Sequence, residues 1–183
     1  SRFAVLTTEQ VQALENGDLA SLTNAQITGL RTDQIAALET QDVASLTTTQ
    51  IGLWSTSQLI SLTTAQIVAL DDGDLASLSN TKLARLLTDQ IQALQTQDLK
   101  SLSSAQIAAL DTDSFATLTT EQVRSLPVNH ITAITTDQLT AMSANLIGGF
   151  SSDQITRLSE AQIQSLTTTQ VSQLLTSMLT ALT

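Results

Sequence analysis

The sequence predicts an all-α repeat solenoid, a superhelix of very short helices, and three observations carry that reading. From Thr7 to Leu182 the chain divides into 22 octads without insertion or deletion, each a variant of T-T-x-Q-I-x-x-L. The fifth place is always Val, Ile, Leu or Phe, and the eighth is always Leu, Ile, Met, Phe or Trp. Helix-starting residues recur once per octad, between one apolar pair and the next. A fixed short period means one small unit stacked many times.

The spacing rules out the other regular structures. A strand needs period two, and here the apolar steps alternate between three and five residues. In a continuous helix, at about 100° per residue, each apolar pair would be rotated by about 80° from the last. The helix must therefore break in every octad. The second place is Thr, Ser, Asn or Asp in 19 of 22 octads, and the first is Thr, Ser or Asp in 15. These side chains accept hydrogen bonds from the free N–H groups of a new first turn. Gln or Asp fills the fourth place in 17 octads, and Thr-x-x-Gln after a Leu reads as a capping box with a hydrophobic staple. Thr7 to Val11, entered from Leu6, is one instance. Where an octad opens with Arg31, Glu39, Leu87 or Gln95, the following Thr is expected to take the cap.

A helix of about six residues cannot persist alone, because nucleation is costly. Neighbouring coils must hold it. The seventh place is small in 18 octads, which gives those coils room, and the mixed sixth place reads as solvent-facing. A longer period also runs through the chain: residues 15–46 match residues 71–102 at 19 of 32 positions. That shift is seven octads, compatible with duplication or with two coils of three and a half helices. We expect about three to four octads per coil, with residues 1–6 as a lead-in and 7–182 as one continuous solenoid. The absence of atypical terminal repeats is what a fragment of a longer repeat protein would show.

Composition narrows function by exclusion. With 17 acids against 7 scattered bases the net charge is −10, so nothing offers the basic stripe that nucleic acid requires. No apolar run approaches the length of a membrane helix, so no membrane insertion is expected. There is no cysteine, which suits export without oxidative folding.

The octad resembles the LTTxQIxxL-type short repeats of very large bacterial surface or secreted proteins of adhesin-like character. The resemblance runs from Leu6-Thr7-Thr8-Glu9-Gln10-Val11 to Leu166-Thr167-Thr168-Thr169-Gln170-Val171. It implies a structural spacer or scaffold, secreted or on a bacterial cell surface, and it brings no active site with it. The pattern weakens at Pro127 to His130, at Ser143 to Leu146 and at Leu175 to Met178.

Few residues suggest chemistry. His130, the single histidine, sits in a Gln place, where its imidazole is expected to cap in glutamine's stead. With no Cys, no second His and no phosphate loop, neither enzyme activity nor a cofactor is expected. Asp71, Asp72 and Asp74 are weak calcium candidates, read more simply as acids at a helix start. Leu53, Ile60 and Leu87 fall outside the core lattice and are candidate partner contacts, whereas Trp54 reads as core. Gly148-Gly149-Phe150 is a candidate bend. Second-place threonines (Thr32, Thr40, Thr48, Thr56, Thr64) would form ladders if octads stacked in register, a remote route to ice or crystal-surface binding. The main alternative to a spacer is a protein-binding module that uses the solenoid surface for an unknown protein or surface. Uncapped apolar ends would also permit end-to-end self-association.

Overall fold

The computed structural model describes residues 2–14 and 16–181, with side chains over 4–14 and 18–174. Among the described residues it is helical throughout, a succession of short helices with no strand. After a 3-10 turn at Arg2–Val5, each of the first 20 octads supplies one helix of four to six residues, such as Thr32–Ala37, Thr64–Ala69 and Thr120–Ser125.

The break between helices is two residues of extended backbone. Leu38, an eighth-place residue, lies at φ −60°, ψ 143°, and Glu39 after it at φ −71°, ψ 157°. The eighth-place side chain turns inward there, while the next residue exposes its carbonyl to a new first turn. Fifth-place residues from Val11 to Ile147 and eighth-place residues from Leu22 to Phe150 are all buried, in one core that follows the superhelix axis. Trp54 belongs to that core and is fully enclosed.

Helix starts are more uniform than the first-place residues suggest. Arg31, Glu39, Leu87 and Gln95 are themselves the N-caps, and the threonines after them are the first helical residues. None of the four makes a side-chain cap bond. The start is fixed instead from the other side of the capping box: the fourth-place side chain accepts the N-cap N–H, for example Gln90 Oε1 from Leu87 N at 2.9 Å. That bond is indifferent to the N-cap side chain, so the start does not shift by a residue.

Three octads depart from the pattern for readable reasons. Pro127 opens a 3-10 helix, Val128–Ala133, rather than an α-helix. Octads 21 and 22 run together as one helix, Thr168–Ala181, because Leu175 and Met178 occupy the first and fourth places and neither can cap. Neither Gly148 nor Gly149 has positive φ. A Cβ on Gly149 would come within 3.0 Å of the Thr120 Cβ and the Leu146 carbonyl, so this glycine serves close approach of coils.

Candidate functional site

What distinguishes this chain locally is the fate of its fourth-place glutamines. A helix N-terminus leaves N–H groups unpaired and a C-terminus leaves carbonyls unpaired. A carboxamide carries an acceptor and a donor on one planar group. Gln66 uses both: its Oε1 accepts the Thr63 N–H at 2.8 Å, and its Nε2 donates to the Leu38 and Ile35 carbonyls at 2.7 and 2.8 Å. One side chain thus joins the start of its own helix to the end of a helix one coil behind.

The bond repeats along the chain with a constant offset. All eleven fourth-place glutamines from Gln34 to Gln170 donate to the carbonyl 28 residues behind, at 2.6–2.9 Å. Each is almost fully buried. That offset is three and a half octads, so helices sit over junctions in the coil below, as bricks do. Seven octads are therefore two coils, after which the octad frame returns.

The register corrects the expected threonine ladders. A coil of three and a half octads sets second places against sixth places, so Thr32, Thr40 and Thr48 have Ile60, Val68 and Ala76 one coil ahead. No unbroken threonine row runs along the rod.

Hydroxyls of the seventh place finish the helices. Ser45, Ser61, Ser77, Ser101 and Ser125 each donate Oγ–H to the carbonyl three residues back at 2.7 Å. Small size was the legible reason for serine there; carbonyl capping is the second.

The candidate calcium ligands are occupied as caps. Asp71 Oδ1 accepts the Asp74 N–H at 2.7 Å, Asp74 Oδ2 accepts the Asp71 N–H at 3.2 Å, and Asp72 is exposed. Among the described residues no three acidic or histidine side chains converge on a metal-sized site.

His130 does not take over the glutamine role. It is buried, its Nδ1 has no hydrogen-bond partner, and the N-cap it would serve is Pro127, which has no N–H to give. Burial lowers its pKa. Lys82 does better, donating Nζ–H to the Gly52 carbonyl at 2.5 Å.

Of the candidate contacts, Leu87 is 50% and Leu53 38% exposed, and Ile60 is half-buried. The separation of Ile60 and Leu87 is one residue short of a coil, so the coil repeat sets them on one side of the rod, while Leu53 lies a quarter of a coil away. Val68 and Val128, in the sixth and second places of their octads, are exposed as well.

A family model of short repeats, described as the ALTTAQ repeat, matches residues 11–48, 35–72 and 91–127, together more than half of the chain. The chain belongs to the ALTTAQ repeat family. No curated protein matches it. In ALTTAQ order the six letters span one helix junction: a small seventh place, the core Leu, the N-cap, its neighbour, a free place and the bridging Gln. Ser61 to Gln66 shows all of these roles at once.

Proposed function

We propose that this ALTTAQ repeat chain is a structural spacer, a rod whose task is to hold a fixed distance in a large secreted or surface-exposed bacterial protein. The observation that supports it most is the bridging glutamine: every coil is tied to the next by buried bonds, while variable places are mostly small and polar. In a solenoid each repeat contacts only its neighbours, so length scales with repeat number. The acidic surface favours solubility. A cysteine-free chain suits export. The reading assigns no catalysis: the single histidine, His130, is buried, no cysteine accompanies it, and the abundant Ser and Thr serve as caps.

Small-angle scattering with circular dichroism on the same sample tests this. At about 8–10 Å per packed layer, the chain makes a helical rod on the order of 60 Å long. Deleting residues 63–118, one seven-octad period, joins Leu62 to Thr119 without breaking the octad frame. The rod then shortens by about 20 Å and keeps its helical spectrum. A compact profile, or unfolding on deletion, would sink the spacer reading.

A second reading, a protein-binding module, draws on exposed Leu87 beside half-buried Ile60 on one side of the rod. Exposed apolar groups of this kind tend to mark contacts.

A further inference from the structure

Four octads carry aspartate where others carry the bridging glutamine: Asp18, Asp42, Asp74 and Asp98. Asp18 is exposed, and the position one coil behind it precedes Ser1. The other three are at most 3% exposed. Each accepts its own N-cap N–H, Asp42 from Glu39 at 2.8 Å, Asp74 from Asp71 at 3.2 Å and Asp98 from Gln95 at 2.6 Å. That is the acceptor half of the glutamine contact. The donor half is missing, because a carboxylate has no proton to give. The coil register sets the Leu14, Leu46 and Leu70 carbonyls opposite these three, and no hydrogen bond from a described residue reaches any of them. Asp74 Oδ1 is buried without a hydrogen bond of good geometry, with only the Thr48 side chain near it to favour its charge.

Nothing cationic compensates from the packed elements. The Asp42 helix packs on Asn16–Ala20, which brings Asp18, and on Thr64–Ala69, which brings no charge; its own start is Glu39. The Asp74 helix packs on the uncharged Thr48–Leu53 and on Thr96–Ser101, which brings Asp98 and Lys100, and carries Asp71 and Asp72 itself. The Asp98 helix meets those three aspartates and, on Thr120–Ser125, Glu121 and Arg124. Lys100 and Arg124 are exposed sixth-place residues and make no ion pair among the described residues. Burial, ahead of the neighbouring acids, pushes all three carboxyls above the ordinary carboxylate range, against the pull of the N-cap N–H and, at Asp74, of Thr48.

We propose that Asp42, Asp74 and Asp98 are proton-operated coil locks. On taking a proton from solvent, each carboxyl keeps its N-cap contact through one oxygen. Its new O–H donates to the carbonyl one coil behind. Acid thereby closes three junctions that glutamine closes permanently elsewhere. A folded-state affinity for protons above the unfolded one gives stability that is fully present below the unfolded value near 3.8. It is lost as pH rises through the raised folded value. The rod's N-terminal half is thus looser at neutral pH than in mild acid, whether or not the chain serves as a spacer.

The test compares urea midpoints of three proteins at about pH 7 and about pH 4.5: the chain itself, Asp42→Asn/Asp74→Asn/Asp98→Asn, and Asp89→Asn/Asp137→Asn/Asp153→Asn. The second triple removes the same charge from exposed positions. The buried triple, with a permanent donor, should raise the neutral midpoint by about 1 M and abolish the gain on acidification, while the exposed triple keeps that gain. Equal behaviour of the two triples would overturn the proposal, leaving only general charge relief. Carboxyl NMR titration of the unaltered chain is a second readout, independent of any variant's folding. Three carboxyls titrating above the unfolded-peptide value support the locks, and none doing so refutes them.

Discussion

Gln66 Nε2 and the Leu38 carbonyl, 28 residues apart in sequence, are 2.7 Å apart in space. The same carboxamide accepts the Thr63 N–H, so an N-terminus and a C-terminus from different coils share one buried group. Repetition of that contact sets the coil at three and a half octads and fixes the stagger of its helices. An ordinary bond of this kind contributes about 1 kcal/mol, but a buried partner left unpaired costs about 1–3 kcal/mol. The contact is therefore more important for what its loss exposes than for its own strength.

Gln66→Glu keeps the acceptor and removes the donor, placing a negative charge toward the carbonyl end of the helix Thr32–Ala37. We expect a loss of about 2–3 kcal/mol in urea denaturation. Gln10→Glu, at an exposed glutamine with no coil behind it in this chain, should stay within about 0.5 kcal/mol. Similar losses at both sites would show that the inter-coil bond carries no special burden.

Leu87 is an N-cap that cannot cap, and half of it is exposed. Leu87→Thr adds the missing acceptor for the Gln90 N–H, matching the bond that Thr63 makes to Gln66 N at 3.2 Å. Stability should rise by about 0.5–2 kcal/mol, visible as a higher thermal midpoint. Should the midpoint fall instead, Leu87 contributes packing that its exposure conceals.

The fold class was legible because two places of the octad never lose their apolar residue and two others supply caps. The coil register was only half legible. The match of residues 15–46 with 71–102 pointed to a seven-octad period, but duplication explained it equally well. A sharper signal lay in the fourth place, which holds thirteen Gln and no Glu. A capping box is served by either residue, so the exclusion of Glu implied a need for the amide donor. Arg31, Glu39, Leu87 and Gln95 misled because a cap was sought in their side chains, whereas Gln34, Asp42, Gln90 and Asp98 fix those starts by accepting the backbone N–H. His130 misled because its own side chain was weighed without the proline three residues before it.

Two glycines should respond oppositely to alanine. At Gly52 an added Cβ meets nothing closer than Ser77 Oγ at 3.6 Å, an ordinary contact, so Gly52→Ala stabilises by about 0.5–1 kcal/mol through helix propensity. Gly149→Ala forces a Cβ against the Thr120 Cα at 3.2 Å and the Leu146 carbonyl at 3.0 Å, both backbone atoms that cannot swing aside. Overpacking of this sort costs about 1–3 kcal/mol. Chemical denaturation of the two variants side by side checks the contrast, and a neutral Gly149→Ala would mean that the coils there can spread.

His130 gives the rod a pH response opposite in sign to that of the buried aspartates. Burial lowers the imidazole pKa below its ordinary value of 6.5, and Nδ1 has no partner that a proton would improve. The folded chain thus binds this proton less well than the unfolded chain does. Its contribution to stability is fully present above about pH 6.5 and drains away as pH falls toward the lowered folded value. His130→Gln removes the titration and presents an amide to the Leu102 carbonyl, which receives no hydrogen bond from the described residues. Denaturation profiles of the two proteins should diverge between about pH 7 and about pH 5, with the substituted protein gaining relative to the unaltered one as acid is added. Parallel profiles across that window would mean that the imidazole reaches solvent and titrates as it does in the unfolded chain.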